Sequence, residues 1–218
     1  MQFARDNKLP FLHLFEYVHH IPDIVSLEFV KKLHLSTKAR YPQHVITALP
    51  SRLEVFECDG YMFEAMPAFP DTLRRLVWIE PGRASGSFDV VVRFNGPLPA
   101  SLTHLTCRIQ CLELPDLLPP TLVHLHVDFC HIMNGGTLPA LPATLTYLSC
   151  SYCRLTQLPV LPPSLLHLNF SGNYIPAPLS ALPDRLKRLE CTRTALAHLP
   201  TLPLTLEHLN CRFNRLQT

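Results

Sequence analysis

The chain carries twelve histidines and eight cysteines, and these are the residues whose types and spacing offer chemistry. Cys150-Ser151-Tyr152-Cys153 has C-x-x-C spacing, which in other settings holds zinc or cycles between dithiol and disulfide. His104, His124 and His126 offer imidazole ligands close together in sequence. Neither set is completed, because no second C-x-x-C is present and no carboxylate or thiolate is arranged with the histidines. No metal and no other cofactor is therefore expected. A nucleophile paired with its base, paired acids, a glycine-rich phosphate loop and a His-Glu-x-x-His helix are all missing, and seven glycines leave little for a phosphate cradle. The expectation is that the protein is not an enzyme, and no catalytic residue is assigned.

What must position these side chains is read from the prolines, of which there are 22. A unit of the form apolar-Pro-x-x-Leu-x-x-Leu-x-Cys occurs at Leu49-Pro50, Phe69-Pro70, Leu98-Pro99, Leu118-Pro119, Leu141-Pro142, Leu161-Pro162, Leu182-Pro183 and Leu202-Pro203. Each continues as Leu-x-x-Leu-x-(Cys/Phe/Val)-x-x-(Asn/Cys/Thr)-x-Leu, as in Leu165, Leu168, Phe170, Asn173 and Ile175. A degenerate unit precedes them, with Val30, Leu33 and Leu35 in the register of Leu53, Phe56 and Cys58. Each unit supplies one short strand whose leucines point inward while the residues between point outward with period two. Stacked units then form a parallel sheet with strands about 4.8 Å apart, stabilised by nearest neighbours. The repeat explains the cysteines: Cys58, Cys107, Cys150, Cys191 and Cys211 share one inward position, and Cys130 and Cys153 fall at the asparagine-like position three residues on. Thiols there fill the space of a hydrophobe and donate weakly to the backbone. Cys111 lies off both columns.

This pattern is the signature of leucine-rich repeats. It resembles the short Leu-Pro type of bacterial effectors and the FNIP-type repeats of amoebal and giant-virus proteins, the second through Phe94-Asn95-Gly96-Pro97 and the following Leu98-Pro99-Ala100-Ser101-Leu102-Thr103-His104-Leu105-Thr106. The fold expected is a leucine-rich-repeat solenoid with a curved parallel β-sheet on its concave face. Segments such as Leu158-Pro159-Val160-Leu161-Pro162-Pro163 leave no room for a helix, so the convex side is expected to be extended chain and turns. Residues 1–25 are read as a short helical N-terminal cap, and residues 26–218 as an array of about nine units with a loop insertion near 79–97 that contains Pro81-Gly82-Arg83-Ala84-Ser85-Gly86-Ser87. Within the cap, Leu9-Pro10, Leu14-Phe15-Glu16-Tyr17-Val18 and Ile24-Val25-Ser26-Leu27 are similar to a shortened F-box, which in FNIP-type proteins docks a ubiquitin-ligase adaptor.

The outward positions carry the functional reading. The third position of successive strands runs Lys32, Val55, Arg75, His104, His124, Tyr147, His167, Arg188 and His208, and the fifth includes His34, Glu57, His126, Ser149 and Glu190. Arg108, Asp128, Phe129, Tyr152, Arg193, Arg212 and Phe213 follow along one edge at the seventh and eighth positions. Aromatic and guanidinium groups are favoured at binding hot spots. Two readings stand side by side: histidine is merely tolerated on an exposed strand, or Arg75, His104, His124, His126, Tyr147, His167, Arg188 and His208 contact a partner. The function expected is a non-catalytic protein-protein interaction module, in the setting of a virus or effector protein acting on host proteins. The alternative is a substrate-recognition subunit of a ubiquitin-ligase complex. The last unit ends at Leu216-Gln217-Thr218 without a polar cap, so a homodimer through that repeat is expected. A net charge of +2 with scattered Lys and Arg argues against nucleic acid, and prolines and charges interrupt every apolar run that might span a membrane. The polar start, Met1 to Lys8, is unlike a secretory signal, so an intracellular, cytoplasmic protein with reduced thiols is expected.

Overall fold

A computed structural model describes residues 8–15, 27–36, 48–59, 67–79, 91–94, 96–175, 179 and 181–217. Thirteen strands occur in chain order: β1 (Phe11–Phe15), β2 (Lys32–Ser36), β3 (Val55–Asp59), β4 (Arg75–Ile79), β5 (Val92–Arg93), β6 (His104–Arg108), β7 (Cys111–Glu113), β8 (His124–His126), β9 (His131–Ile132), β10 (Tyr147–Ser149), β11 (His167–Asn169), β12 (Arg188–Glu190) and β13 (His208–Asn210). Ten of them form one parallel sheet in the order β1-β2-β3-β4-β6-β8-β10-β11-β12-β13, and β5-β7-β9 form a second, three-stranded one. No helix occurs among the described residues, and none is long and apolar enough to cross a membrane.

The repeat dictates this coil by three local devices. In each of the eight repeat units from Pro50 to Pro203, the proline carbonyl accepts a hydrogen bond from the leucine N–H three residues on, as in Leu165 to Pro162 at 3.1 Å and Leu186 to Pro183 at 3.0 Å. The proline thus marks the turn that launches each strand, and its missing N–H costs nothing there. Next, in six units a hydroxyl immediately before the first leucine locks the coil to the one before it: Thr72 donates to the Leu53 carbonyl at 2.8 Å, Thr121 to Leu102 at 2.9 Å, Thr144 to Leu122 at 2.8 Å and Thr205 to Leu186 at 2.9 Å. Ser101 and Ser164 do the same to Leu73 and Leu145. Finally, Asn173, buried four residues past the end of β11, closes four backbone bonds: its amide donates to the Cys150 and Phe170 carbonyls, and its carbonyl accepts from the N–H of Cys153 and of Leu155.

All strands of the main sheet pair in one register, so Leu12, Leu33, Phe56, Leu76, Leu105, Leu125, Leu148, Leu168, Leu189 and Leu209 form a single column. From Leu33 to Leu189 these side chains are buried in one continuous core with the second-column residues Trp78, Val127 and Phe170. Leu209, on the outer edge of β13, is 38% exposed where Leu189 is fully buried. Cys130 and Cys153 take the asparagine position and donate to the Cys107 and Val127 carbonyls at 3.2 and 2.6 Å, the weak thiol donation expected there.

The helical N-terminal cap is corrected. Where the cap is described, Phe11–Phe15 is an extended strand paired with β2, and the Pro10 carbonyl accepts from the N–H of Lys31 and of Lys32. The alternation Leu12-His13-Leu14 has the period of a strand, and the otherwise open edge of β2 offers it backbone partners. The remainder of the cap, residues 1–7 and 16–25, lies outside the described residues, as do Glu16 to Val18 and Ile24 to Ser26 of the F-box-like segment. Of the insertion near 79–97, residues 80–90 and 95 lie outside the described residues, and Val92–Arg93 form β5, held to β7 by the Arg93–Glu113 ion pair at 2.6 Å.

Candidate functional site

Because the strands share one register, the outward residues stand in two straight columns. The third-position column runs Phe11, Lys32, Val55, Arg75, His104, His124, Tyr147, His167, Arg188, His208, with neighbours directly paired across adjacent strands. His126 stands beside it in the fifth-position column, between Thr106 and Ser149. The eight expected contact residues therefore lie on one face, with Arg75, Arg188 and His208 exposed and the rings between them half-buried.

The middle of that face is a stack of rings. His124 lies 4.1 Å from Tyr147 with the planes 7° apart, His104 lies 5.5 Å from His124 at 22°, and Tyr147 is 5.9 Å from His167. Strand pairing sets this spacing, since side chains at paired positions stand close enough for parallel rings to touch. Thr103 Oγ1 and His104 Nδ1 are 2.9 Å apart, which fixes one end of the stack. His126 is fixed by Asp128, whose Oδ2 lies 3.0 Å from His126 Nε2, while Asp128 Oδ1 accepts from Ser149 Oγ and from the Ser151 N–H, both at 2.7 Å. Burial alone would raise the Asp128 carboxyl; the hydrogen bonds from His126, Ser149 and Ser151 outweigh it and hold it below the usual carboxylate range.

Arg75 and Arg188 flank the stack, each with a carboxylate beside it: Glu57 lies 3.8 Å from Arg75 and Glu190 lies 2.6 Å from Arg188. His124 lies between the rings of His104 and Tyr147. Burial, followed by His104, His126 and Arg75, pushes its pKa down from 6.5 to about 4. The unfolded chain takes up this proton near 6.5 and the folded chain only near 4, so the unfolded state binds more protons in that window and stability falls as the pH is lowered through it. Imidazole NMR shifts of His124 are expected to remain those of a neutral ring at pH 5, and a titration midpoint near 6.5 would contradict the stacked placement.

Among the described residues no three His, Cys, Asp or Glu side chains are grouped to hold a metal ion. All eight cysteines are thiols, and burial pushes those of Cys107, Cys150 and Cys153 up, with Cys191 pushed up to about 12.

No protein-family model matches the chain, and no curated protein does. Among solved structures, it is similar to YopM, a leucine-rich effector protein from Yersinia pestis, with a TM-score of 0.64 and 24% identity over 89% of this chain. YopM from Yersinia enterocolitica WA-314 aligns over 93% of it at 26% identity and a TM-score of 0.51. The chain has the leucine-rich-repeat fold. It spans only 57% and 54% of the lengths of those two proteins. Within this leucine-rich-repeat sheet, two ladder members escaped the sequence reading. Phe11 and His13 add a further rung, and His13 stacks on His34 at 4.1 Å with the planes 9° apart. Their signal was the alternation Leu12-His13-Leu14, obscured because Pro10 precedes the strand by one residue rather than sitting three before its first leucine. Along the seventh and eighth positions, Phe129, Tyr152 and Phe213 are exposed.

Proposed function

We propose that the outward face of the ten-stranded sheet binds a protein partner without catalysis, through Arg75, His104, His124, His126, Tyr147, His167, Arg188 and His208. The observation that carries this reading is the His104-His124-Tyr147-His167 stack. Rings already ordered against one another lose little side-chain freedom on binding, and Tyr and Arg are the residue types that dominate interface energies. Support for a non-catalytic role comes from Cys107, Cys150, Cys153 and Cys191, whose raised pKa values make them poor nucleophiles at neutral pH. Effector proteins with this fold supply the setting we favour: a host protein as partner, met in a reducing cytoplasm. Adaptor docking for ubiquitin transfer is not part of the proposal, since Phe11–Phe15 extends the sheet as a strand.

The test is affinity capture from host-cell lysate, read by mass spectrometry, comparing the native chain with a variant carrying Arg75, His124, Tyr147 and His167 all changed to Ala. The expected result is loss of a specific protein from the variant while its circular dichroism and thermal melt match the native chain. An identical catch from both would refute the face as the working surface.

A further inference from the structure

A second strip runs along the edge of the coil, three residues past the ends of strands β8, β10, β12 and β13. Phe129, Tyr152, Arg193 and Phe213 occupy the same place in successive units, and each has a positive φ, at 58°, 55°, 55° and 58°. Gly172 holds that place in the unit between those of Tyr152 and Arg193, with φ at 70°, and the buried Ile109 holds it in the unit of β6. Glycine adopts this left-handed backbone freely, whereas side-chain-bearing residues meet a steric penalty there. Burial does not compensate for the penalty, because Phe129 is 56% exposed, Tyr152 44% and Phe213 72%. Strain held at exposed positions points to a surface role.

The strip is ordered by stacking. Phe129 and Tyr152 lie 5.1 Å apart with planes at 2°, the Arg108 guanidinium sits 5.5 Å over Phe129, and that of Arg193 sits 5.0 Å over Phe213. The other face of Tyr152 covers Gly172, where an added Cβ would collide with the ring. Both guanidinium groups are held over a ring and exposed to solvent, where an arginine fork can take a carboxylate with two hydrogen bonds.

Charge separates this strip from the main face. Arg75, Arg188, Lys31 and Lys187 lie beside Glu57, Glu190, Glu54 and Glu207. Arg108, Arg193 and Arg212 enter none of the ion pairs among the described residues. Asp128, the acid on this edge, is turned toward His126, Ser149 and Ser151.

We propose that the strip from Arg108 to Phe213 is a docking site for an acidic polypeptide segment, whose carboxylates are held by Arg108 and Arg193 and whose apolar side chains cover the rims of Phe129, Tyr152 and Phe213. A protein segment fits better than single-stranded nucleic acid, because base stacking needs open ring faces and those of Phe129 and Tyr152 are covered. The strip is distinct from the ring stack of the main sheet and stands whether or not that face binds.

The test is fluorescence anisotropy of the full chain with a labelled peptide of alternating Glu and Leu at physiological ionic strength. Arg108→Gln with Arg193→Gln is expected to weaken binding about tenfold or more, as loss of central interface arginines does. Both side chains are exposed, and circular dichroism confirms that the variant folds. Arg108→Lys with Arg193→Lys should restore only part of the affinity, since an ammonium offers no flat fork. Lys31→Gln with Lys187→Gln, on the main face, should leave the peptide affinity within about twofold, because these lysines are paired with Glu54 and Glu207 and paired surface charges contribute little. Absence of peptide binding, an effect confined to the main-face variant, or full rescue by lysine would overturn the proposal. So would tighter binding of a labelled oligothymidylate that depends on the same two arginines.

Discussion

Replacing Asn173 with alanine is expected to lower the folding free energy by about 4 kcal/mol or more, among the largest losses for any single polar side chain in the protein. Asn173 is buried, and its amide donates to the Cys150 carbonyl at 2.8 Å and the Phe170 carbonyl at 2.7 Å. Its carbonyl accepts from the N–H of Cys153 and of Leu155, both at 3.0 Å. Alanine removes every one of these partners at once and leaves two donors and two acceptors in an apolar interior that water does not reach. Each such orphan costs about 1–3 kcal/mol. Cys153, one unit earlier at the same position, makes a thiol bond to Val127 that a small residue replaces at much lower cost, so the asparagine is the stronger clasp. Because each coil contacts only its neighbours, the damage should also separate the array into two halves that melt less cooperatively. Urea denaturation followed by circular dichroism measures both effects. A loss below about 1 kcal/mol with an unchanged slope would show that other groups satisfy the freed backbone.

What the sequence disclosed and what it withheld divide along a physical line. Features set by the unit itself were legible: the turn at each Pro-x-x-Leu, the inward leucine column from Leu33 to Leu189, and the cysteine columns that turn Cys150 and Cys153 into core rather than chemistry. Since the side-chain period of a strand is two, finding the inward residues also fixed His104, His124, Tyr147 and His167 on the outward face. Features that exist only between units were not legible. The parallel approach of His124 and Tyr147, the guanidinium of Arg108 over Phe129, and the Asp128 carboxylate shared by His126 and Ser149 depend on rotamers chosen across strands more than twenty residues apart. The positive φ at Phe129, Tyr152, Arg193 and Phe213 was hidden because only Gly172 among the five advertises that backbone. The first strand was missed for another reason. A five-residue segment has too little periodicity of its own, and Phe11–Phe15 becomes a strand because β2 offers it an edge.

The register that underlies every functional statement is tested by two adjacent residues of β11. Leu168→Ala is expected to cost about 2–5 kcal/mol, since it leaves a cavity between neighbouring coils that are already packed. His167→Ala, one residue before it, is expected to alter stability by about 0.5 kcal/mol or less, in keeping with a surface substitution. Leu168 is 1% exposed and stands in the inward column between Leu148 and Leu189, whereas His167 points the other way and meets Tyr147 at a tilted 5.9 Å. A tilted ring contact at the surface contributes little compared with three lost core carbons. The binding effects should run in the opposite sense: a Leu168→Ala chain that remains folded at low temperature should retain its partner, while His167→Ala should weaken it without unfolding. Equal destabilisation by both changes would mean that the strand is turned over or slipped by one residue, which would move Arg75, His104, His124 and Tyr147 off the outward face together. Thermal melts of the two variants, measured side by side, therefore decide whether the proposed face exists before any partner is sought.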